Sequence, residues 1–123
     1  MAFLLLSVCG PDMNDKKACT FIVFDIVNFY PSISEELLNK AIQFAKTITA
    51  ISPDDLNIII QSRKTLLFYK DQPWVKKTGT EDFDVPMGCY DGAEICELVG
   101  SFLLHQLNEI GIKKELIGLY RDD

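Results

Sequence analysis

Thr20-Phe21-Ile22-Val23-Phe24-Asp25-Ile26-Val27 is an apolar run interrupted by one carboxylate, and turn formers and charges precede it over residues 10–19. An apolar segment of this length, bounded by loop, reads as a central β-strand covered on at least one face. Alternation puts Phe21, Val23, Asp25 and Val27 on one side of it. A carboxylate inside a buried strand is costly unless a cation compensates it. Asp25 therefore reads either as a structural acid paired with a lysine or as a ligand for a bound cation. A second apolar stretch, Leu116-Ile117-Gly118-Leu119-Tyr120, leads into Arg121-Asp122-Asp123 and predicts a last strand over residues 115–123. Three carboxylates on two neighbouring strands would suit hard divalent cations.

Between these strands the signals are mostly helical. Ser32, Ser34 and Glu35 offer N-caps and a capping box, and predict a helix to about Thr47 with Leu38, Ala41, Ile42 and Ala45 on its buried face. Ser52-Pro53-Asp54-Asp55 combines a cap, a proline at the first helical position and first-turn acids, so a second helix should run to about Lys64. Residues 66–77 read as a hairpin turning at Lys70-Asp71-Gln72-Pro73, and residues 78–84 as loop. Asp91-Gly92-Ala93-Glu94 opens the longest helix, which ends near Gly111, with Ala93, Cys96, Val99, Leu103, Leu107 and Ile110 as its buried stripe. Residues 1–19 are left as a poorly defined N-terminal segment, its apolar start being a strand or a helix. The order predicts an α+β fold, with helices on one face of a small antiparallel sheet and the other face open.

With 123 residues the chain is one domain or less, of globular composition. A net charge of −6 argues against a nucleic-acid binder, whose domains are usually basic. The four cysteines lack zinc-ligand spacing and read as reduced thiols of an intracellular protein, with cytoplasm and nucleus both open. No segment is long and apolar enough for a membrane span, and no basic stretch precedes Phe3–Leu6 to make a signal peptide. Arg63, Lys64, Lys70, Lys76 and Lys77 gather around the second helix and hairpin, either as a solvated face or as contacts to a nucleic-acid backbone.

Three strings taken together carry a resemblance. Phe24-Asp25-Ile26-Val27-Asn28-Phe29-Tyr30-Pro31-Ser32-Ile33 resembles the first palm motif of reverse transcriptases, an acid ending a hydrophobic strand with an aromatic five residues later. Tyr120-Arg121-Asp122-Asp123 is similar to the Tyr-x-Asp-Asp box of the same family, and Val85-Pro86-Met87-Gly88 to its Pro-Gln-Gly loop, with Met87 where glutamine is common. Cys89-Tyr90-Asp91-Gly92-Ala93-Glu94 departs from the viral enzymes and suggests a retroelement lineage.

The resemblance covers residues 20–123 and implies a partial palm with part of the fingers. It implies that Asp25, Asp122 and Asp123 are catalytic, and that Asp25, the Ile26 carbonyl and Asp122 hold two Mg2+ ions, with Mn2+ as a substitute. It places Tyr30, Phe29, Met87 and Gly88 at the nucleotide, the Tyr30 ring excluding a ribose 2′-hydroxyl, and allows Lys64, Lys76 and Lys77 to touch nucleic acid. The implied partners are an RNA or DNA template with its primer and deoxynucleoside triphosphates, with no membrane. An RNA-directed RNA polymerase shares the paired acids, but a bulky Tyr30 argues against it. The family's basic fingers, return strand and thumb have no counterpart in the sequence. The chain is therefore expected to be a fragment with negligible polymerase activity alone; the alternative is an inactive gene fragment or an interaction module.

Overall fold

The computed structural model of the protein describes residues 2–9, 19–64, 67–74, 83–86 and 88–121. Its elements run β1 (Ala2–Cys9), β2 (Cys19–Ile26), α1 (Phe29–Ser32), α2 (Glu35–Lys46), α3 (Pro53–Gln61), β3 (Leu67–Tyr69), β4 (Gln72–Trp74), α4 (Gly92–Glu109), a 3-10 turn (Lys114–Leu116) and β5 (Ile117–Arg121). Small antiparallel sheets with helices make this an α+β architecture. The chain divides into two compact units, one of Met1–Phe29 with Gly100–Asp123, the other of Tyr30–Val99.

The first unit is built on a three-stranded antiparallel sheet in the order β2-β1-β5. The expectation that the first motif strand and the last strand are neighbours is corrected here, because β1 lies between them. The physical reason is that strand order is set by pairing across the chain, which the apolar content of Leu4-Leu5-Leu6 does not reveal. Register pairs Phe3 with both Asp25 and Tyr120, Leu5 with Val23 and Gly118, and Leu4 with Phe24 and Leu119. Opposed residues share a face, so Asp25, Val23, Phe21, Leu5, Gly118 and Tyr120 lie on one side, and Ile22, Phe24, Leu4, Leu6, Ile117 and Leu119 on the other.

Helix α4, from Gly100 onward, covers the second side. A Cβ added to Gly100 would stand 2.6 Å from Leu119 Cδ2, so the missing side chain is what lets helix and strand approach. The first side is open: Phe21 is 66% exposed, Val23 61% and Tyr120 62%. Asp25 is exposed with them, so it is not the buried acid that the unbroken apolar run implied. Among the described residues β2 is an edge strand, and hydrophobicity alone does not distinguish an edge from a centre.

The second unit has its core in Ile33, Leu38, Ala41, Ile42, Phe83, Val85, Ile95, Cys96 and Val99, all buried. Helix α2 starts at the second of the two serine caps the sequence offers, and Ser32 belongs to α1 instead of forming the expected capping box. Ser34 is its N-cap and accepts from the Leu37 N–H at 3.1 Å, and Leu38, Ala41 and Ile42 form the buried face. On its exposed side Lys40 pairs with Glu36 at 2.6 Å and holds that carboxyl below the usual range. Ser52 caps α3 by accepting from the Asp55 N–H at 3.1 Å. The stripe of α4 differs from expectation at both ends. Ala93 and Ile110 are exposed, while Gly92 and Ile95 are buried beside Cys96 and Val99. The buried line follows the i, i+3, i+4 set that starts at Gly92. The helix stops at Glu109, leaving Ile110 in the turn before Gly111, whose φ of +98° needs a glycine.

The hairpin turns more tightly than predicted. Leu67–Tyr69 and Gln72–Trp74 pair around two residues only, Lys70 and Asp71, at φ of 49° and 60°. This is the type I′ geometry that matches strand twist. Pro73 sits within β4 opposite Phe68, one pair beyond the turn-flanking Tyr69–Gln72 pair. In the antiparallel alternation that place needs no inward N–H. Two L-residues with side chains in the left-handed region carry strain of order 1 kcal/mol each. The replacement of Lys70-Asp71 by Asn-Gly should stabilise the hairpin by about 1 kcal/mol, read as slower amide exchange at Tyr69 and Gln72.

Candidate functional site

Asp25 stands one residue from the end of β2, on the open side of the sheet. The row through it crosses Phe3 on β1 and reaches Tyr120 on β5; the next row runs Ile26, Ala2, Arg121. The strand that carries the first acidic motif and the one that enters the second therefore come to the same end of one sheet. Among the described residues no cation pairs with Asp25, so the reading as a lysine-paired structural acid finds no partner there. Asp122 and Asp123 lie outside the described residues, as do Met87, Lys76 and Lys77. Among the described residues no three His, Cys, Asp or Glu side chains gather as a cation site. An exposed carboxylate with no ion pair among the described residues, next to the Ile26 carbonyl, suits a hard cation in ligand type.

Past β2 the chain turns at Asn28, whose φ of 53° is one that asparagine tolerates better than most residues. Phe29 follows as a core side chain, 8% exposed, and Tyr30 is half-buried. Of the two aromatics that the resemblance places at a nucleotide, Tyr30 is the less buried. In the second unit the Tyr30 ring lies close to Gly92, far along the chain from it. A Cβ added at Gly92 would lie 3.7 Å from Tyr30 Cε1, 3.5 Å from the Pro86 carbonyl oxygen and 2.8 Å from Cys89 Sγ. Gly88 has a φ of +84° with open space around it, so its backbone turn is what demands glycine.

An arginine holds this loop. Arg63, just past the end of α3, is 4% exposed. Its Nη2 donates to Asp91 Oδ1 and its Nη1 to Cys89 Sγ at 3.2 Å; its carbonyl accepts from the Asp84 N–H at 3.0 Å. Asp91 in turn caps α4, its carbonyl accepting from the Ile95 N–H at 3.0 Å. Burial works against the guanidinium charge, and the contacts with Cys89 and Asp91 outweigh it, so the Arg63 pKa lies above its ordinary value. This corrects the expected basic face at Arg63 alone, while Lys76 and Lys77 lie outside the described residues. Arg63 points inward, Lys64 pairs with Glu35 at 3.3 Å, and Lys70 lies over the Tyr69 ring at 5.3 Å. The sequence does carry a signal for the inward arginine: residue 63 falls three and four places after Ile60 and Ile59, on the apolar line of α3.

A scan against protein-family models, a search of curated proteins and a search of solved structures each found no match to this chain. Among the described residues no helix is long and apolar enough to cross a membrane.

Proposed function

We propose that the chain is the palm-like core of a reverse-transcriptase-type DNA polymerase, taking its primer, template and deoxynucleoside triphosphates in the context of a longer enzyme. The observation that carries the reading is the sheet register, in which Asp25 and Tyr120 share a row on the open side. The reading requires β5 to continue past Arg121, which would put the 122 carboxylate on the face of Asp25. The two backbones would then be roughly 12 Å apart, two strand spacings across and two residues along. Two aspartates can reach across that span to ions about 4 Å apart.

Asp25, the Ile26 carbonyl and Asp122 are the groups that would hold Mg2+ or Mn2+. When bound, the ions would neutralise phosphate charge and acidify the primer 3′-hydroxyl. Asp123 supports the site in this reading. By the resemblance, Tyr30 would stand at the sugar, and Gly88 and Met87 at the nascent pair. Lys64, Lys76 and Lys77 would have a lesser part at the nucleic-acid backbone.

A manganese titration followed by amide NMR tests this without requiring turnover. Line broadening should centre on Asp25, Ile26 and residues 120–123 and spare Glu94 and Glu97 on α4. Broadening spread evenly over the acidic surface would sink the reading. The alternative, an interaction module without catalysis, is favoured by one observation, the exposure of Phe21, Val23 and Phe24 on β2.

A further inference from the structure

Strand β2 pairs with β1 on one edge, and among the described residues no strand pairs with the other. An open edge presents a row of unpaired backbone N–H and C=O groups. Edge strands are ordinarily blunted by lysine, proline, a bulge or shortness. Cys19–Ile26 has none of these: it is eight residues long, with no proline, no glycine and no basic residue. Its side chains are exposed on both faces, with Phe21 at 66% and Val23 at 61% on the open side, and Phe24 at 50% and Ile22 at 38% on the other.

We propose that the outer edge of β2 pairs antiparallel with β2 of a second copy of this chain, joining two three-stranded sheets into one of six strands. The edge is its own complement. A two-fold axis through Ile22 lays Phe21 opposite Val23 on the open side and Val23 opposite Phe21, and sets Ile22 against itself and Thr20 against Phe24 on the other. Aromatic with β-branched is a favourable cross-strand pair. The one charge in the strand agrees with this register. Each Asp25 faces position 19 of the other copy, so the two carboxylates are separated by six residues, about 20 Å along the strands, well beyond the range at which exposed charges interact in salt. A parallel arrangement in register would stack the two aspartates side by side. The contact is isologous and closes at two copies. It is narrower than a standard interface, so the dimer is weak and concentration-dependent. It uses the strand edge and leaves the Asp25 carboxylate on the open face, so it does not rest on the metal reading.

Sedimentation velocity over a concentration series tests it with four samples: the wild-type chain, Val23→Lys, Phe21→Glu, and an equimolar mixture of the two variants. Both residues are exposed in the monomer, so far-UV circular dichroism of the variants should match the wild type. The wild-type chain should shift from monomer to dimer with rising concentration. Each variant alone sets a charge against an apolar partner twice per dimer and should weaken association by roughly tenfold or more. The mixture opposes the introduced lysine of one chain to the introduced glutamate of the other and keeps one native Phe21–Val23 pair, so it should recover most of the lost affinity. A wild-type chain that stays monomeric throughout, one that grows into open-ended fibres, variants that associate as the wild type does, or a mixture that fails to recover would each overturn the proposal.

Discussion

Replacing Asp91 by alanine should destabilise the unit formed by Tyr30–Val99 by about 3–5 kcal/mol, the cost of leaving a buried charge without its partner. The charge left behind is the Arg63 guanidinium, 4% exposed, with a thiol and a serine hydroxyl as its remaining side-chain partners. Neither can neutralise it. The backbone cap is not the source of the loss, because the bond from the Ile95 N–H to the residue-91 carbonyl survives the substitution. Arg63→Met should cost less, about 2 kcal/mol, because the partner it abandons is different. The Asp91 side chain is 34% exposed and can rehydrate, and methionine refills most of the apolar space along the arginine stem. The double variant should be more stable than Asp91→Ala alone, because removing the second charge removes the penalty. Native-state hydrogen exchange at Leu38, Ile42 and Val99 reads these differences within the unit itself. Equal losses for the two single variants would mean that the buried charge is not what the pair protects.

The local structure of this protein is legible because each signal there is a short-range one. Ser34 and Ser52 cap their helices by bonds to backbone three residues on, and the Leu38, Ala41, Ile42 face follows from spacing alone. The antiparallel sheet, the helices and the α+β class follow from such signals added together. What the sequence conceals is decided across the chain. Strand order is one case: nothing in Ala2–Cys9 says that it intervenes between β2 and β5, since a leucine-rich strand reads the same at an edge as at the centre. The exposure of Phe21, Val23 and Asp25 is another, because periodicity identifies a strand without saying how many neighbours it has. The partner of the inward arginine is a third. Spacing from Ile59 and Ile60 hints at the inward turn, but nothing local names Asp91, 28 positions later, as the acid beside it. For the candidate site, the sequence names Asp25, Tyr30 and the Val85–Gly88 loop. The contact of Tyr30 with the loop around Gly92 comes only from the fold.

Asp25→Asn should leave stability within about 0.5 kcal/mol of the wild-type chain while weakening Mn2+ binding by at least about tenfold. The first half follows from exposure. Asp25 lies on the open side of an edge strand, and among the described residues it makes no ion pair whose loss would be felt. Asparagine keeps the shape and a carbonyl oxygen, and a chain of net charge −6 has no electrostatic reason to miss one carboxylate. The second half follows from ligand chemistry. A hard divalent cation draws its affinity from anionic oxygen, and an amide oxygen brings the geometry without the charge. Thermal unfolding supplies one measurement and the water-proton relaxation of bound Mn2+ the other, with Asp54→Asn, an exposed acid in the first turn of α3, as the control for simple loss of charge. The two readings of Asp25 predict opposite patterns. A structural acid paired with a lysine would lose about 1 kcal/mol or more of stability on neutralisation, the worth of a charged hydrogen bond, and manganese binding would match that of the Asp54 variant. A ligand loses its ion and keeps its fold. The pair of measurements therefore decides whether the one carboxylate in the β2 strand serves the sheet or the chemistry.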